Sequence, residues 1–140
     1  MARFHRAKGK RSGFEQTVCS DLDRRGIPYQ YEPDKLKYWR TVRGAKCSVC
    51  QNVTVTKGAT YTPDLKFGNG TYCEIKGRFT ASNRARMADF KTAQPFTVIR
   101  LLFQANNWTT TKKLQRYTTW ATKHHFPCSV GTRVPLAWTK

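Results

Sequence analysis

Acidic residues are scarce in this sequence. Its 140 residues include 8 Asp and Glu against 26 Lys and Arg, which gives a formal net charge of +18 at pH 7. Folding does not require such an imbalance, and repulsion between like charges destabilises a compact chain. A polyanionic partner would relieve this repulsion, and we expect that partner to be nucleic acid.

Long apolar segments are also missing. No stretch approaches the roughly 18 apolar residues of a membrane-spanning helix, and the basic N-terminus lacks the apolar segment of a signal peptide. The 5 cysteines are an odd number in a chain that is not short, which disfavours a secreted disulfide framework. We therefore expect a cytoplasmic protein with no membrane partner.

The length of the chain is that of one ordinary domain. We predict a flexible basic arm over residues 1–11, because this segment is rich in Lys and Arg and has little to bury. Residues 12–140 are predicted to form one domain, with an insertion at about 43–60 that is an elaborated loop or a small hairpin. The 4 Trp, 6 Tyr and 8 Phe supply apolar surface for a core and argue against disorder.

The first helix is predicted over residues 13–25. Ser12 and Glu15 match the capping-box pattern at its start, and Gly26 is a typical C-terminal stop. Apolar residues at intervals of four form one helix face: Phe14, Val18 and Leu22.

The other predicted elements alternate between strands and helices. They are strands on either side of Pro33, a hairpin with arms 61–67 and 71–77, a polar helix over 82–93, a buried central strand over 96–104 and a last helix over 114–125. This order predicts the α/β class, with a mixed central sheet flanked by helices.

The two acidic residues of the central hairpin are Asp64 and Glu74, and Lys76 follows on the second arm. Alternate residues of a strand share a face, so Glu74 and Lys76 point to the same side. A two-residue turn would place the two carboxylates on opposite faces, whereas a three-residue loop at 68–70 pairs Asp64 with Glu74. We predict the three-residue loop, because its last residue is a glycine, which suits the left-handed position of such loops.

Carboxylates opposed in this way lie about 5 Å apart at Cβ and repel each other unless a cation is present. Lys76 supplies part of the positive charge, and a hard divalent cation such as Mg²⁺ or Mn²⁺ would supply more. Such an ion makes bound water more acidic and stabilises charge at a phosphoryl group, and Lys76 would then orient that water or neutralise the developing charge. The alternative is structural: a Glu74–Lys76 salt bridge on a strand face, with Asp64 only opening a turn.

Several motifs of the chain match one known family. The most specific block runs from Tyr61-Thr62-Pro63-Asp64 to Glu74-Ile75-Lys76-Gly77. Further matches are Arg11-Ser12-Gly13-Phe14-Glu15, Arg25-Gly26-Ile27-Pro28-Tyr29, Tyr31-Glu32 and Asn69-Gly70, with a weaker one from Lys123-His124 to Pro135-Leu136-Ala137-Trp138. Together they resemble the endonuclease I of tailed phages, four-way-junction resolvases with a PD-(D/E)xK nuclease core.

This resemblance implies a restriction-endonuclease-like core and a metal-dependent enzyme that resolves Holliday junctions in branched DNA. It implies that Asp64 and Glu74 bind the catalytic metal ions, that Lys76 is the catalytic lysine and that Glu15 is the third acidic residue. It also implies an intertwined homodimer in which the first helix is exchanged, so that Glu15 completes the active site of the other protomer. If the chain is phage-encoded, it would act in the host cytoplasm. From the residues alone, Glu15 is a helix-capping residue, and the helix start can serve both purposes.

The insertion contains the motif Cys47-Ser48-Val49-Cys50, and C-x-x-C is half of a zinc site. In a two-fold dimer, the same two cysteines of the other protomer would complete a Cys₄ site. Alternatively, Cys128 would reach the motif together with either His124 or His125. We expect such a Zn²⁺ ion to be structural. Two other cysteines are predicted to pack in the core: Cys19 and Cys73.

Basic residues near the predicted site are assigned to DNA phosphates: Arg11, Lys66, Arg78, Arg84, Arg86 and Lys91. No set of side chains suggests base readout in a groove, so we expect recognition by DNA shape and backbone charge. The favoured function is a dimeric, metal-dependent endonuclease acting on branched DNA. Mismatched DNA and a restriction-like duplex site stay open as substrates for the same core. The alternative is a non-catalytic, basic, zinc-containing protein that binds nucleic acid.

Overall fold

A computed structural model describes residues 12–42, 44, 48–50 and 55–140 of the chain. The elements of this part are, in order, α1 (Gly13–Arg24), β1 (Tyr29–Tyr31), β2 (Leu36–Val42), β3 (Val55–Tyr61), β4 (Leu65–Phe67), β5 (Tyr72–Lys76), α2 (Ala81–Ala93), β6 (Ile99–Phe103), α3 (Tyr117–Lys123), β7 (Cys128–Val130) and a 3₁₀ turn (Leu136–Trp138). The predicted α/β class is confirmed. None of these helices is both long enough and apolar enough to cross a lipid bilayer. The arm predicted at 1–11 lies outside the described residues.

The central sheet has five strands in the order β1-β4-β5-β6-β7. β4 runs antiparallel to both β1 and β5, whereas β5, β6 and β7 are parallel to each other. The sheet is therefore mixed, as predicted. β2 and β3 form a separate antiparallel pair, so the second arm of a hairpin lies within the predicted insertion.

α1 covers one face of the central sheet. The Ser12 hydroxyl accepts the Glu15 N–H at 3.2 Å and caps the helix start. Gly26 ends the helical turn with a φ of +67°, a left-handed conformation that costs glycine little. The predicted apolar stripe of α1 is buried against the sheet and the C-terminal segment in a cluster that includes Phe14, Val18, Leu22, Leu65, Cys73, Ile75, Leu102 and Trp138. Burial of each aliphatic side chain contributes roughly 1.5–3 kcal/mol.

The opposite face of the sheet is covered by α2, α3 and the β2–β3 pair. Its core is largely aromatic and includes Tyr38, Tyr61, Phe79, Phe90, Phe103, Tyr117 and Trp120. The ring centroid of Phe90 lies 4.8 Å from that of Tyr61 and 5.2 Å from that of Tyr38, which are favourable tilted and edge-to-face contacts. This packing holds the end of β3 against the sheet.

The β4–β5 connection is the predicted three-residue loop. Leu65 pairs with Cys73, and Gly70 at the end of the loop has a φ of +81°, the conformation for which glycine was favoured. The predicted three-residue loop is therefore confirmed. Extended by one residue, its register brings Asp64 beside Glu74, and the charge of Glu74 acts on Asp64.

The buried strand predicted over 96–104 is shorter in the structure. β6 begins at Ile99, and Phe96 before it is 96% exposed. Apolar character alone does not separate a buried strand from an exposed turn that leads into it. β7 has no clear sequence signal, because its three residues are all at least partly exposed and do not alternate.

Two predicted helices also have different bounds. The polar helix predicted over 82–93 begins at Ala81, because Thr80 rather than Ser82 or Asn83 is its N-cap. The last helix predicted over 114–125 is limited to Tyr117–Lys123. The first turn of the predicted helix is instead part of an antiparallel hairpin over residues 106–116.

Candidate active site

The site begins with two acidic side chains on adjacent strands. Asp64 immediately precedes β4, and Glu74 lies in the middle of β5. The Ile75 N–H donates to Asp64 Oδ2 at 2.7 Å, which fixes one carboxylate oxygen against the backbone of β5. Glu74 is only 3% exposed. A carboxylate so deeply buried is stabilised only if other groups satisfy its oxygens.

Both oxygens of Glu74 have donors. The Tyr61 hydroxyl donates to Oε2 at 2.5 Å, and Lys76 Nζ lies 2.7 Å from Oε1. The salt bridge that the structural alternative requires is therefore present. It also holds the lysine ammonium against Glu74 and within electrostatic range of Asp64, which is the arrangement that the catalytic interpretation requires.

Tyr61 is a site residue that the sequence reasoning did not single out. It closes β3 and is 2% exposed, with its ring in the aromatic core and its hydroxyl on Glu74. Its position three residues before Asp64 was a usable signal, because a buried tyrosine hydroxyl needs a partner and the nearest acidic residues in the sequence follow it.

The electrostatics of the pair are unfavourable without a cation. Burial and the charge of Glu74 raise the pKa of Asp64 from 3.8 to about 8, and the Ile75 N–H and Lys76 offset this only partly. Mg²⁺ commonly binds proteins through one or two carboxylates and keeps several waters. Asp64 and Glu74 fit that requirement, since an added cation would lower the pKa of Asp64 and relieve the repulsion.

Replacement of Asp64 by Asn is expected to stabilise the metal-free protein, and more so as the pH rises. The pKa of Asp64 is about 8 in the folded protein, against an ordinary value of 3.8. Its carboxyl therefore lowers the free energy of unfolding progressively as the pH rises between these two values. Melting curves in EDTA should therefore show the gain in Tm of the variant increasing by roughly 10 °C between pH 5 and pH 8.5.

Asp21 is the matched control for this prediction. Hydrogen bonds from Arg24 and Arg25 lower the pKa of Asp21, so Asp21→Asn should reduce Tm at both pH values. If the change in Tm caused by Asp64→Asn were the same at both pH values, the raised pKa of Asp64 would be contradicted.

Glu15 lies in the capped first turn of α1 and acts electrostatically on the site. Its Oε1 accepts from the Ser12 hydroxyl at 3.1 Å, and its Oε2 accepts from the Tyr31 hydroxyl at 2.8 Å. The charge of Glu15 also contributes to the raised pKa of Asp64. Ser12 is therefore confirmed as the N-cap, and the Glu15 carboxylate binds the capping hydroxyl while lying within electrostatic range of Asp64 of the same chain.

The three acidic residues are not gathered into one ligand set. Within the described ranges, no group of three or more His, Cys, Asp or Glu side chains is placed to hold a metal ion. Asp64 and Glu74 are the pair that the strands bring together, whereas Glu15 is held by Ser12 and Tyr31. Metal binding by Glu15 stays a prediction.

Glu32 is a further acidic residue beside the site. Its N–H donates to the Asp64 carbonyl at 2.8 Å, and its φ is +45°. Non-glycine residues in this region are uncommon and are concentrated at functional sites and turns. No local signal predicts this conformation, because Glu32 precedes a proline, which favours extended backbone.

The predicted zinc site cannot be placed, because Cys47 lies outside the described residues. Cys50 is exposed. The ring of His124 stacks on Trp120 with centroids 4.1 Å apart, and His124 Nδ1 lies 3.0 Å from the Trp120 carbonyl oxygen. Zinc binding stays a prediction. The core positions of two other cysteines are confirmed by their burial: Cys19 and Cys73.

The basic residues assigned to DNA fall into two groups. Two are tied to the protein: Lys66 Nζ forms an ion pair with Asp34 at 2.8 Å, and Arg84 donates to the Phe79 carbonyl at 2.6 Å. Asp34, which the sequence reasoning did not single out, also accepts from the Tyr72 hydroxyl. Lys91 also contacts the protein, because it is half-buried with its Nζ 5.3 Å from the centre of the Phe126 ring. The remaining two in the described part have exposed side chains: Arg78 after β5 and Arg86 on α2. Arg11 lies outside the described residues.

Comparison with known proteins gives consistent matches. The family model for phage endonuclease I matches residues 1–140. The endonuclease I of Escherichia phage T7 is 29% identical over 96 residues, which is 69% of this chain and 55% of the T7 protein. The endodeoxyribonuclease 1 of Enterobacteria phage T3 is 27% identical over 128 residues, 88% of this chain and 72% of the T3 protein. The chain thus spans little more than half the length of the T7 relative.

Proposed function

Because the chain belongs to the phage endonuclease I family, we propose that it is a divalent-metal-dependent endodeoxyribonuclease that hydrolyses phosphodiester bonds in branched DNA. Four-way junctions are the proposed substrate. The observation that carries this proposal is the Asp64–Glu74 pair with Lys76 on Glu74, in a chain of net charge +18.

The carboxylate pair distinguishes a catalytic protein from one that only binds DNA. A protein that only binds a polyanion gains nothing from two opposed carboxylates, because each one repels phosphate. The high pKa of Asp64 expresses the same electrostatic cost. Such unfavourable arrangements of charge are typical of catalytic sites, where they contribute to binding of a cation and to reaction of the substrate.

Asp64 and Glu74 are the residues that would hold Mg²⁺ or Mn²⁺. Such an ion supplies positive charge at the phosphate and makes bound water more acidic. The protein contributes the rest through fixed side chains. Tyr61 and Lys76 hold the Glu74 carboxylate in one orientation, and the Lys76 ammonium can offset charge that develops on the phosphate oxygens.

The charge of the protein is consistent with recognition of DNA by its shape and backbone. The positive charge greatly exceeds the negative charge, and contacts from Lys and Arg to phosphates carry no base information. Exposed cations follow the site strand and lie on the next helix, at Arg78 and Arg86. DNA binding should therefore weaken steeply as the salt concentration rises.

We also propose that two chains act together and exchange their N-terminal units. α1 and β1 are joined to the rest of the chain by residues 32–35, where Glu32 has a left-handed φ and Pro33 follows. Exchange through such a short connection can preserve every contact of α1 with the sheet. Glu15 would then complete the site of the other protomer, and two sites would cut opposed strands.

The direct test is cleavage of a labelled four-way DNA junction, with a linear duplex of equal length as control, in Mg²⁺ and in EDTA. We expect cutting of the junction that requires the metal, and little cutting of the duplex. Equal cutting of both DNAs would contradict junction selectivity. Tight, salt-sensitive binding without cutting in Mg²⁺ or Mn²⁺ would leave a non-catalytic DNA-binding protein.

A further inference from the structure

The segment between β6 and α3 is an ordered hairpin rather than a loose loop. We call residues 106–116 the β6–α3 hairpin. Its arms are joined by an antiparallel bridge between Trp108 and Arg116 and by a hydrogen bond from the Thr109 N–H to the Gln115 carbonyl at 2.8 Å. At the tip, the Lys113 N–H donates to the Thr110 carbonyl at 3.1 Å and closes a tight turn.

The hairpin is also anchored at its base. The side-chain oxygen of Asn106 accepts from both the N–H and the hydroxyl of Thr118, each at 3.1 Å. The Arg116 guanidinium donates to the Asn106 carbonyl at 3.0 Å. These bonds fix the hairpin to the start of α3, so the side chains that it carries are presented in a defined arrangement.

The ordered structure of the hairpin does not contribute to the hydrophobic core. No residue from 104 to 116 is buried, and neither core cluster includes a side chain of the hairpin. Leu114 is 81% exposed and Trp108 is 36% exposed. An ordered excursion that buries no apolar side chain and exposes a tryptophan and a leucine is typical of a contact surface.

The chemistry of the hairpin matches nucleic acid. Lys112 and Lys113 occupy the tip, and the Arg116 guanidinium lies 3.9 Å from the centre of the Trp108 ring. The sequence contains no Asp or Glu after Asp89, so no acidic residue of the hairpin or of the following segments offsets these charges. Arginine stacked on an aromatic ring, beside lysines, combines the two features that bind strands whose bases are unstacked.

The hairpin starts at the same edge of the sheet as the candidate active site. β5 and β6 are parallel, so both end at this edge. The Gln104 N–H, just before the hairpin, donates to the Lys76 carbonyl at 3.0 Å. A DNA strand held at Lys76 would therefore pass the base of the hairpin.

From these observations we propose that the β6–α3 hairpin is a second DNA-contact element. Lys112 and Lys113 contact backbone phosphates beside the cleaved bond, and Trp108 stacks on a base that is unstacked at the branch point. Trp108 thus contributes to the preference for branched over linear DNA. The inference rests on the proposed function, because it requires that branched DNA be the ligand.

The phosphate contacts are tested by salt dependence. The double variant Lys112→Ala/Lys113→Ala is compared with Lys123→Ala/Lys140→Ala, which removes the same charge near the opposite end of the parallel strands. Binding of a fluorescent four-way junction is measured in EDTA over a range of KCl concentrations. We expect the slope of log Kd against log salt to fall by about 2 for the hairpin variant, since each phosphate contact contributes about 0.9. The control should keep the wild-type slope.

The stacking contact is tested with Trp108→Ala and Trp108→Phe, with Phe96→Ala as the control for loss of an exposed aromatic ring at the other end of β6. We expect Trp108→Ala to reduce the junction-to-duplex affinity ratio about tenfold, Trp108→Phe to restore most of it and Phe96→Ala to leave it unchanged. Equal Tm values would show that the variants are folded.

The outcomes for the two proposals are distinct. If wild-type protein binds the junction, but the hairpin variants keep its salt slope and affinity ratio, the hairpin inference is overturned and the proposed function stands. If wild-type protein binds neither DNA, the proposed function and the hairpin inference are both overturned.

Discussion

Cleavage of a four-way junction by the Glu74→Gln variant is expected to be slower than that of the wild type by about 10³-fold or more, without loss of DNA binding. Glutamine keeps the shape of the side chain, and its oxygen can still accept from Tyr61. It lacks the negative charge that pairs with Lys76 at 2.7 Å and that would hold a divalent cation opposite Asp64. Loss of several kcal/mol of transition-state stabilisation corresponds to this decrease in rate.

The binding measurement makes this prediction specific. Removal of a negative charge cannot weaken attraction to phosphate, so the Kd of Glu74→Gln for the junction in EDTA should equal or fall below the wild-type value. Asp89→Asn removes the same charge from α2 and should cleave at the wild-type rate. A folded Glu74→Gln protein that failed to bind the junction, or that cleaved it normally, would contradict the assignment of Glu74.

Mixing two inactive variants is expected to restore activity. Glu15→Gln and Glu74→Gln should each be nearly inactive alone. If α1 is exchanged between protomers, a mixed dimer combines the intact Glu74 of one chain with the intact Glu15 of the other and has one complete site. After denaturation and refolding of an equal mixture, half of the dimers are mixed, so about a quarter of the sites are complete.

The measurement is the cleavage rate of the refolded mixture against each variant refolded alone, with refolded wild type as the reference. A mixture as inactive as its two components would show that Glu15 acts within its own chain, the arrangement in which the structure places it near Asp64. Thermal unfolding of Glu15→Gln separates the two functions of this residue. A large fall in Tm without a fall in rate would leave Glu15 as a helix cap only.

The parts of the fold that were correctly predicted are those whose signals are local. α1 has a cap residue, an apolar stripe at intervals of four and a glycine stop within 15 residues of sequence, and it forms as predicted. The β4–β5 turn is similar, because the conformation of Gly70 and the length of the loop set the register of both strands. That register alone places Asp64 opposite Glu74.

The parts that were missed depend on what packs against the segment. The apolar run at 96–104 contains both an exposed turn and a buried strand, and only the neighbouring strands determine where burial begins. The start of α3 was displaced because 106–116 pairs with itself, an arrangement that has no strong turn motif in the sequence. For the predicted insertion, the sequence left a loop and a small hairpin open, and packing against β2 and the aromatic core decides for the hairpin.

Composition and local patterns are enough to identify a basic α/β domain suited to a polyanion, in which Asp64, Glu74 and Lys76 share a hairpin. These conclusions follow from charge and from short-range geometry, which composition and strand periodicity determine directly. Three features of the site emerge only in the folded chain: Tyr61 holds Glu74, Glu15 approaches Asp64, and the pKa of Asp64 is raised. These features depend on burial and on through-space distances between groups that are far apart in the chain, and no local pattern encodes them.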